Sequence, residues 1–123
     1  MSVPSRLPRE IVIKGATFHP VYELRDADGN LVDLTDDSVT DVFYRLLTNA
    51  VGATAVVRKK SDGDDSLEVT NTGRMTPKFS AAVTAAFGGD EAHVEIIVDV
   101  DGVRTYYAVG LLTLNAPDTG IQT

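Results

Sequence analysis

Asp26, Asp28, Asn30 and Asp33 set oxygen-bearing side chains close together around Gly29, the raw material of a calcium loop. An EF-hand with Gly29 at its sixth position would need an acid at Leu24 and a glutamate at Thr35, and neither stands there. The same residues suit a β-turn in which Asp and Asn side chains bond their own backbone, which is the expected structure. A second acidic loop, Asp62, Asp64 and Asp65, lies near Arg58, Lys59 and Lys60, which suggests local charge balance. His93 and Glu95 share a strand face with Glu91 near them. Zinc needs three or four converging ligands, and His19 is the only other imidazole, so no metal is expected.

Catalytic patterns are equally sparse. There is no Gly-x-Ser-x-Gly elbow, and the pairs Asp36-Asp37 and Asp64-Asp65 sit in turn-like stretches where solvent keeps both acids ionised. Gly88-Gly89 follows a helical window instead of opening one, so it is not a phosphate loop. The absence of Cys removes thiol catalysis and disulfides. The expectation is a protein that is not an enzyme and carries no cofactor. What remains is contact chemistry. Tyr106, opposite Ile97 across a predicted hairpin, forms an outer apolar spot suited to an interface or a sugar. Val3 and Leu7, in an extended N-terminal arm, are candidate anchors on a neighbouring protein.

Such residues need a scaffold, and 123 residues make one domain. Hydrophobic residues at 43% and charged residues at 24% fit a globular chain. Lys plus Arg is 11 and Asp plus Glu is 18, a net charge of −7, which argues against a nucleic-acid binder. No run is long and apolar enough for a membrane helix. Residues 1–10 carry Arg6 and Arg9 without an apolar core, unlike a signal peptide, so synthesis in the cytoplasm is expected.

Residues 1–9, with Pro4 and Pro8, read as an extended arm, and the sheet is expected to begin after Pro8. Residues 10–14 form a short strand with Ile11 and Ile13 on one face. Residues 17–24 put Phe18, Tyr22 and Leu24 on one side of a strand that Pro20 confines to an edge or a bulge. After the turn at 26–30, residues 31–34 resume the alternation. The longest strand candidate is 39–47, with Val42, Tyr44 and Leu46 on one face and Asp41, Phe43 and Arg45 on the other. Residues 54–60 and 66–70 read as a hairpin around 61–65, with Val57 and Val69 facing inward. Residues 80–87 are the one helical window, ended by Gly88-Gly89.

Residues 92–100 and 103–109 flank Asp101-Gly102, a two-residue hairpin signal. The expected register pairs Val100 with Val103, Val98 with Thr105, Ile96 with Tyr107 and Val94 with Val109, setting Asp99 beside Arg104. Residues 111–114 continue past Gly110, and residues 116–123 are a polar tail. The predicted fold is all-β: a small antiparallel β-sandwich, Ig-like or barrel-like, with one short helix, over residues 10–115.

The stretch Lys14-Gly15-Ala16-Thr17-Phe18, then Tyr22 through the Asp26-Ala27-Asp28-Gly29-Asn30 turn to Val32-Asp33-Leu34-Thr35, precedes the strand Val39-Thr40-Asp41-Val42-Phe43-Tyr44-Arg45-Leu46. This order resembles the N-terminal β domain of tailed-bacteriophage baseplate upper proteins and related tail- or fibre-associated modules. The likeness extends over residues 10–114 through the Ala-rich 80–87, Glu95-Ile96-Ile97-Val98, Asp101-Gly102 and Tyr107. It implies a non-enzymatic structural component of a virion, in the tail, baseplate or neck, with no catalytic residues to carry over. Its expected partners are other virion proteins, in a homo-oligomer or ring, without nucleic acid or membrane, and its expected place is the virion. The alternative is a carbohydrate- or ligand-binding β-sandwich, which would need an exposed aromatic platform. The chain has no Trp and only 7% aromatics.

Overall fold

Val42, Tyr44 and Leu46 alternate with Asp41, Phe43 and Arg45, and this period of two buries one side of the central strand completely. The same rule, applied strand by strand, yields the architecture of a computed structural model that describes residues 5–116. Its strands are β1 (Ser5–Arg6), β2 (Glu10–Ile13), β3 (Tyr22–Glu23), β4 (Val39–Thr48), β5 (Val56–Lys59), β6 (Leu67–Val69), β7 (Arg74–Pro77), β8 (Glu91–Val100) and β9 (Val103–Asn115). A 3-10 turn (Lys60–Asp62) follows β5, and helix α1 (Ala81–Ala85) precedes β8. The fold is all-β with one short helix, a small sandwich of barrel-like curvature.

The large sheet runs β1-β9-β8-β4-β5, with β2 also on β9, and the small sheet runs β3-β7-β6. The core lies between them. Val42, Tyr44 and Leu46 meet Val94, Ile96 and Val98 of β8 and Leu112 and Leu114 of β9, and Leu67, Met75 and Phe79 cover them from the other layer. Phe79 links the layers through its ring, lying 5.8 Å from Tyr44 and 6.0 Å from both Phe18 and Phe87.

Several expectations need correction. The sheet begins at Ser5, not after Pro8: Ser5 and Arg6 pair with Ala108 and Val109, and β2 resumes at Glu10 opposite Leu112. Pro8 falls in the gap between the two segments, where no ladder donor is needed. Both segments run parallel to β9, so the sheet is not antiparallel throughout. In β2 the side facing the core is Val12, while Ile11 and Ile13 are 61% and 42% exposed. Residues 17–24 form a strand only at Tyr22–Glu23, and 31–34 only a single bridge from Leu31 to Arg25. The stretch 54–70 is not a hairpin. β5 pairs with β4 and β6 with β7; Val69 packs toward the core as expected, but in β5 it is Val56, opposite Leu46, and not Val57 that does so.

The β8–β9 hairpin starts in the expected register, with Asp101 and Gly102 at φ 50° and 82°, the left-handed pair that a tight turn requires. After Ile97↔Tyr106 the ladder shifts, and Ile96 meets Ala108 instead of Tyr107, and Val94 meets Gly110 instead of Val109. Tyr107 is the extra residue of a β-bulge. The cause lies in the hydrophobic pattern of β9. Without the shift, Leu112 and Leu114 would face solvent; with it, both are buried. α1 is capped by Ser80, whose Oγ accepts from the Val83 amide, and it seats Val83 and Phe87 toward the core.

Candidate interaction surface

Ile96, Ile97 and Val98 are all buried, although strand geometry turns Ile97 away from the core. Side chains on the outer face must therefore cover it. Ile97 lies opposite Phe43 on β4 and Tyr106 on β9, so three apolar side chains meet in a row across three strands. Tyr106 remains 46% exposed. The Arg104 guanidinium lies 4.9 Å from the Phe43 ring centre and binds both Asp99 carboxylate oxygens at 3.0 and 3.1 Å. That fork holds the Asp99 carboxyl below its ordinary value and raises the guanidinium above its own. Arg45 donates to Glu95 at 2.9 Å beside the row. The outer face is thus an apolar row beside two matched ion pairs, with Lys59 of β5 next to Phe43 at its end, and the outer spot expected at Tyr106 and Ile97 is present.

The other contact candidates do not join it. Leu7 is half-buried on the opposite face, its amide donating to Val109 O at 2.7 Å and its side chain packed toward the core. Gly110 makes this possible, since a Cβ there would come within 2.9 Å of Leu7 Cβ. Leu7 therefore anchors its own sheet. Val3 lies outside the described residues.

The acidic clusters resolve into turns. Asp26 Oδ1 accepts from the Asp28 and Asn30 amides at 2.9 and 3.0 Å, the expected side-chain-bonded turn. Asp33 and Asp36 repeat the device, each accepting from both the amide and the hydroxyl two residues on, at Thr35 and Ser38. These hydrogen bonds hold the Asp36 carboxyl below its ordinary value. Glu95 and Glu91 are engaged by Arg45 and Arg9. Among the described residues no three His, Asp or Glu side chains converge as metal ligands, and no helix is long and apolar enough to cross a membrane.

Asp62 lies close enough to Arg58 to favour its charged form, as the expected charge balance implies, but among the described residues none of Asp62, Asp64, Asp65 and the run Arg58-Lys59-Lys60 forms an ion pair. The cations turn to carbonyls instead. Arg58 Nε donates to Lys78 O at 2.8 Å, with its guanidinium 4.7 Å from the Phe79 ring centre. Lys60 Nζ reaches Leu34 O and Val39 O at 2.9 and 3.0 Å. Partial burial lowers the Arg58 pKa. An open cleft of ≈ 630 Å³ lies at this seam, lined by His19, Arg58, Asp62, Asp65 and Lys78 among others.

Two buried polar groups escaped the sequence reading. The Tyr22 hydroxyl donates to Glu10 Oε1 at 2.8 Å and lies 3.0 Å from the Tyr44 hydroxyl, the rings stacked at 5.5 Å. Burial raises both hydroxyls above their ordinary value of 10.0, with Tyr44 adding to the effect at Tyr22. Thr84 Oγ1 donates to Ala16 O and accepts from the Gly15 amide, tying α1 to the loop after β2. Alternation placed Tyr22 and Tyr44 on inward faces, and a buried phenol demands a partner. The identity of that partner depends on two sheets meeting, which one strand pattern does not encode. The chain matches no protein-family model and no curated protein sequence.

Proposed function

We propose that this chain is a non-enzymatic structural component of a tailed-phage virion, in the tail, baseplate or neck, that assembles through protein–protein contacts. The observation that carries the reading furthest is the outer row Phe43–Ile97–Tyr106, beside which Arg45–Glu95 and Arg104–Asp99 are matched within the chain and Lys59 stands at one end. A surface of this kind loses little on desolvation, because few unpaired charges must leave water. The sequence resemblance supplies the assembly class, and an acidic net charge of −7 keeps free subunits soluble before assembly.

Quantitative mass spectrometry of purified virus particles tests it. A fixed copy number in intact particles, as a multiple of three or six, is the expected result. Absence from particles, with the protein abundant in infected cells, would remove the virion reading. A carbohydrate-binding role would then take its place, for which a saturable glycan signal lost in Tyr106→Ala is the mark.

A further inference from the structure

Among the described residues, β9 is paired along its outer edge only from Ala108 onward, where β1 meets it at Ser5. Upstream, Val103, Arg104, Thr105, Tyr106 and Tyr107 pair with β8 on one side and with no described strand on the other. The uncovered stretch is bounded by the Asp101-Gly102 turn at one end and by β1 at the other. In a two-residue hairpin the pair flanking the turn, Val100 and Val103, exchanges hydrogen bonds. Alternation then directs the N–H and C=O of Arg104 and Tyr106 away from β8, and neither residue has another backbone partner among the described residues.

Proteins guard such edges with lysine, proline, bulges or very short strands. This stretch has no Lys and no Pro, its bulge falls at the last residue, Tyr107, beyond the groups of Arg104 and Tyr106, and its single charge, Arg104, is bound to Asp99. Val103 and Tyr106 are 66% and 46% exposed. We infer that this edge pairs with the same edge of a second copy of the chain, antiparallel about a two-fold axis at Thr105. The free groups are self-complementary in that arrangement. Arg104 faces Tyr106 of the other copy and exchanges both backbone bonds with it, about four hydrogen bonds in all across the axis. The Arg104 guanidinium then lies beside an aromatic ring, as it already lies over Phe43 in its own chain. The Arg104–Asp99 pairing leaves the stretch locally neutral, so the net charge of −7 is not concentrated at the contact. A longer unrelated strand would run into β1. The inference rests on the assembly reading only in taking the chain to work as one copy among several.

The test is sedimentation velocity of the purified full chain from about 1 μM to about 1 mM, together with amide hydrogen exchange at the same concentrations. A reversible monomer–dimer equilibrium is expected, with the Arg104 and Tyr106 amides slowing as dimer forms. Arg104→Pro removes an outward N–H without touching the β8 ladder, and Tyr106→Lys sets a lysine at the edge. Each should raise the dimer Kd by about tenfold or more, with far-UV circular dichroism unchanged. Three results would overturn the inference. One is a monomer throughout, with both amides exchanging freely. Another is a dimer whose Kd neither variant alters. The third is protection at every concentration that vanishes when residues 1–4 are removed, which would assign the edge to the chain's own N-terminus. Particle composition is a separate readout. A dimer absent from particles would keep this interface and remove the virion reading, while a particle protein that fails here would lose only the interface.

Discussion

The two lateral edges of the large sheet are finished in opposite ways. At β5 the strand has four residues, and the basic residues from Arg58 to Lys60 close the gap to the small sheet: Arg58 bonds Lys78 O, the Lys59 amide bonds Ser66 Oγ, and Lys60 bonds Leu34 O and Val39 O. At the start of β9 the edge is locally neutral, exposes Val103 and Tyr106, and pairs with no described strand. A basic run expected to balance a neighbouring acidic loop therefore also closes a seam, while an ordinary-looking hairpin end is the exposed surface. Charge on an edge strand acts by where its hydrogen-bond donors terminate, not by its sign alone.

The largest expected effect comes from inserting one alanine between Gly110 and Leu111. The insertion reverses the parity of the strand beyond the bulge, so Leu112 and Leu114 turn outward, and the variant should lose its cooperative thermal transition altogether. Phe79→Ala, which empties the centre of the ring cluster beneath Arg58, should cost about 3–5 kcal/mol in denaturant unfolding. At the seam, Arg58→Leu should cost about 1–3 kcal/mol, because Lys78 O loses its donor. If β5 tolerates that change without loss, the contrast between the edges fails. Arg45→Ala, on the outer face, should cost less than about 1 kcal/mol, since its ion pair with Glu95 is solvent-screened.

Alkaline pH separates the interior from both edges. Tyr22 and Tyr44 have folded pKa values above the ordinary 10.0, so the unfolded chain releases their protons first. Stability is complete below pH 10 and falls as pH rises beyond it. A spectrophotometric titration should show these two phenols ionising only together with loss of the far-UV signal.

Alternation within single strands revealed the class of fold, the 39–47 strand, the helical window and the hairpin around Asp101-Gly102, since each depends on neighbours in sequence. It also located Tyr106 against Ile97. It missed the parallel placement of β1 and β2, because the pairing of the chain's start with its last strand leaves no local mark. The bulge at Tyr107 was legible only in part: Val98 and Thr105 demand one parity and Leu112 and Leu114 the other, a conflict that one extra residue resolves. The seam at Arg58 was not legible because charge balance along the sequence does not show which carbonyls lie across the gap.

The chain has no Trp, and its four tyrosines are graded by exposure: Tyr22 and Tyr44 stacked inside, Tyr107 half-buried against the core, and Tyr106 exposed at the β9 edge. Its near-ultraviolet emission is therefore tyrosine emission alone, and only Tyr106 stands at the surface. Intensity from Tyr106 can report what touches the edge while the buried Tyr22 and Tyr44 stay constant, so the unlabelled protein carries its own optical gauge of association.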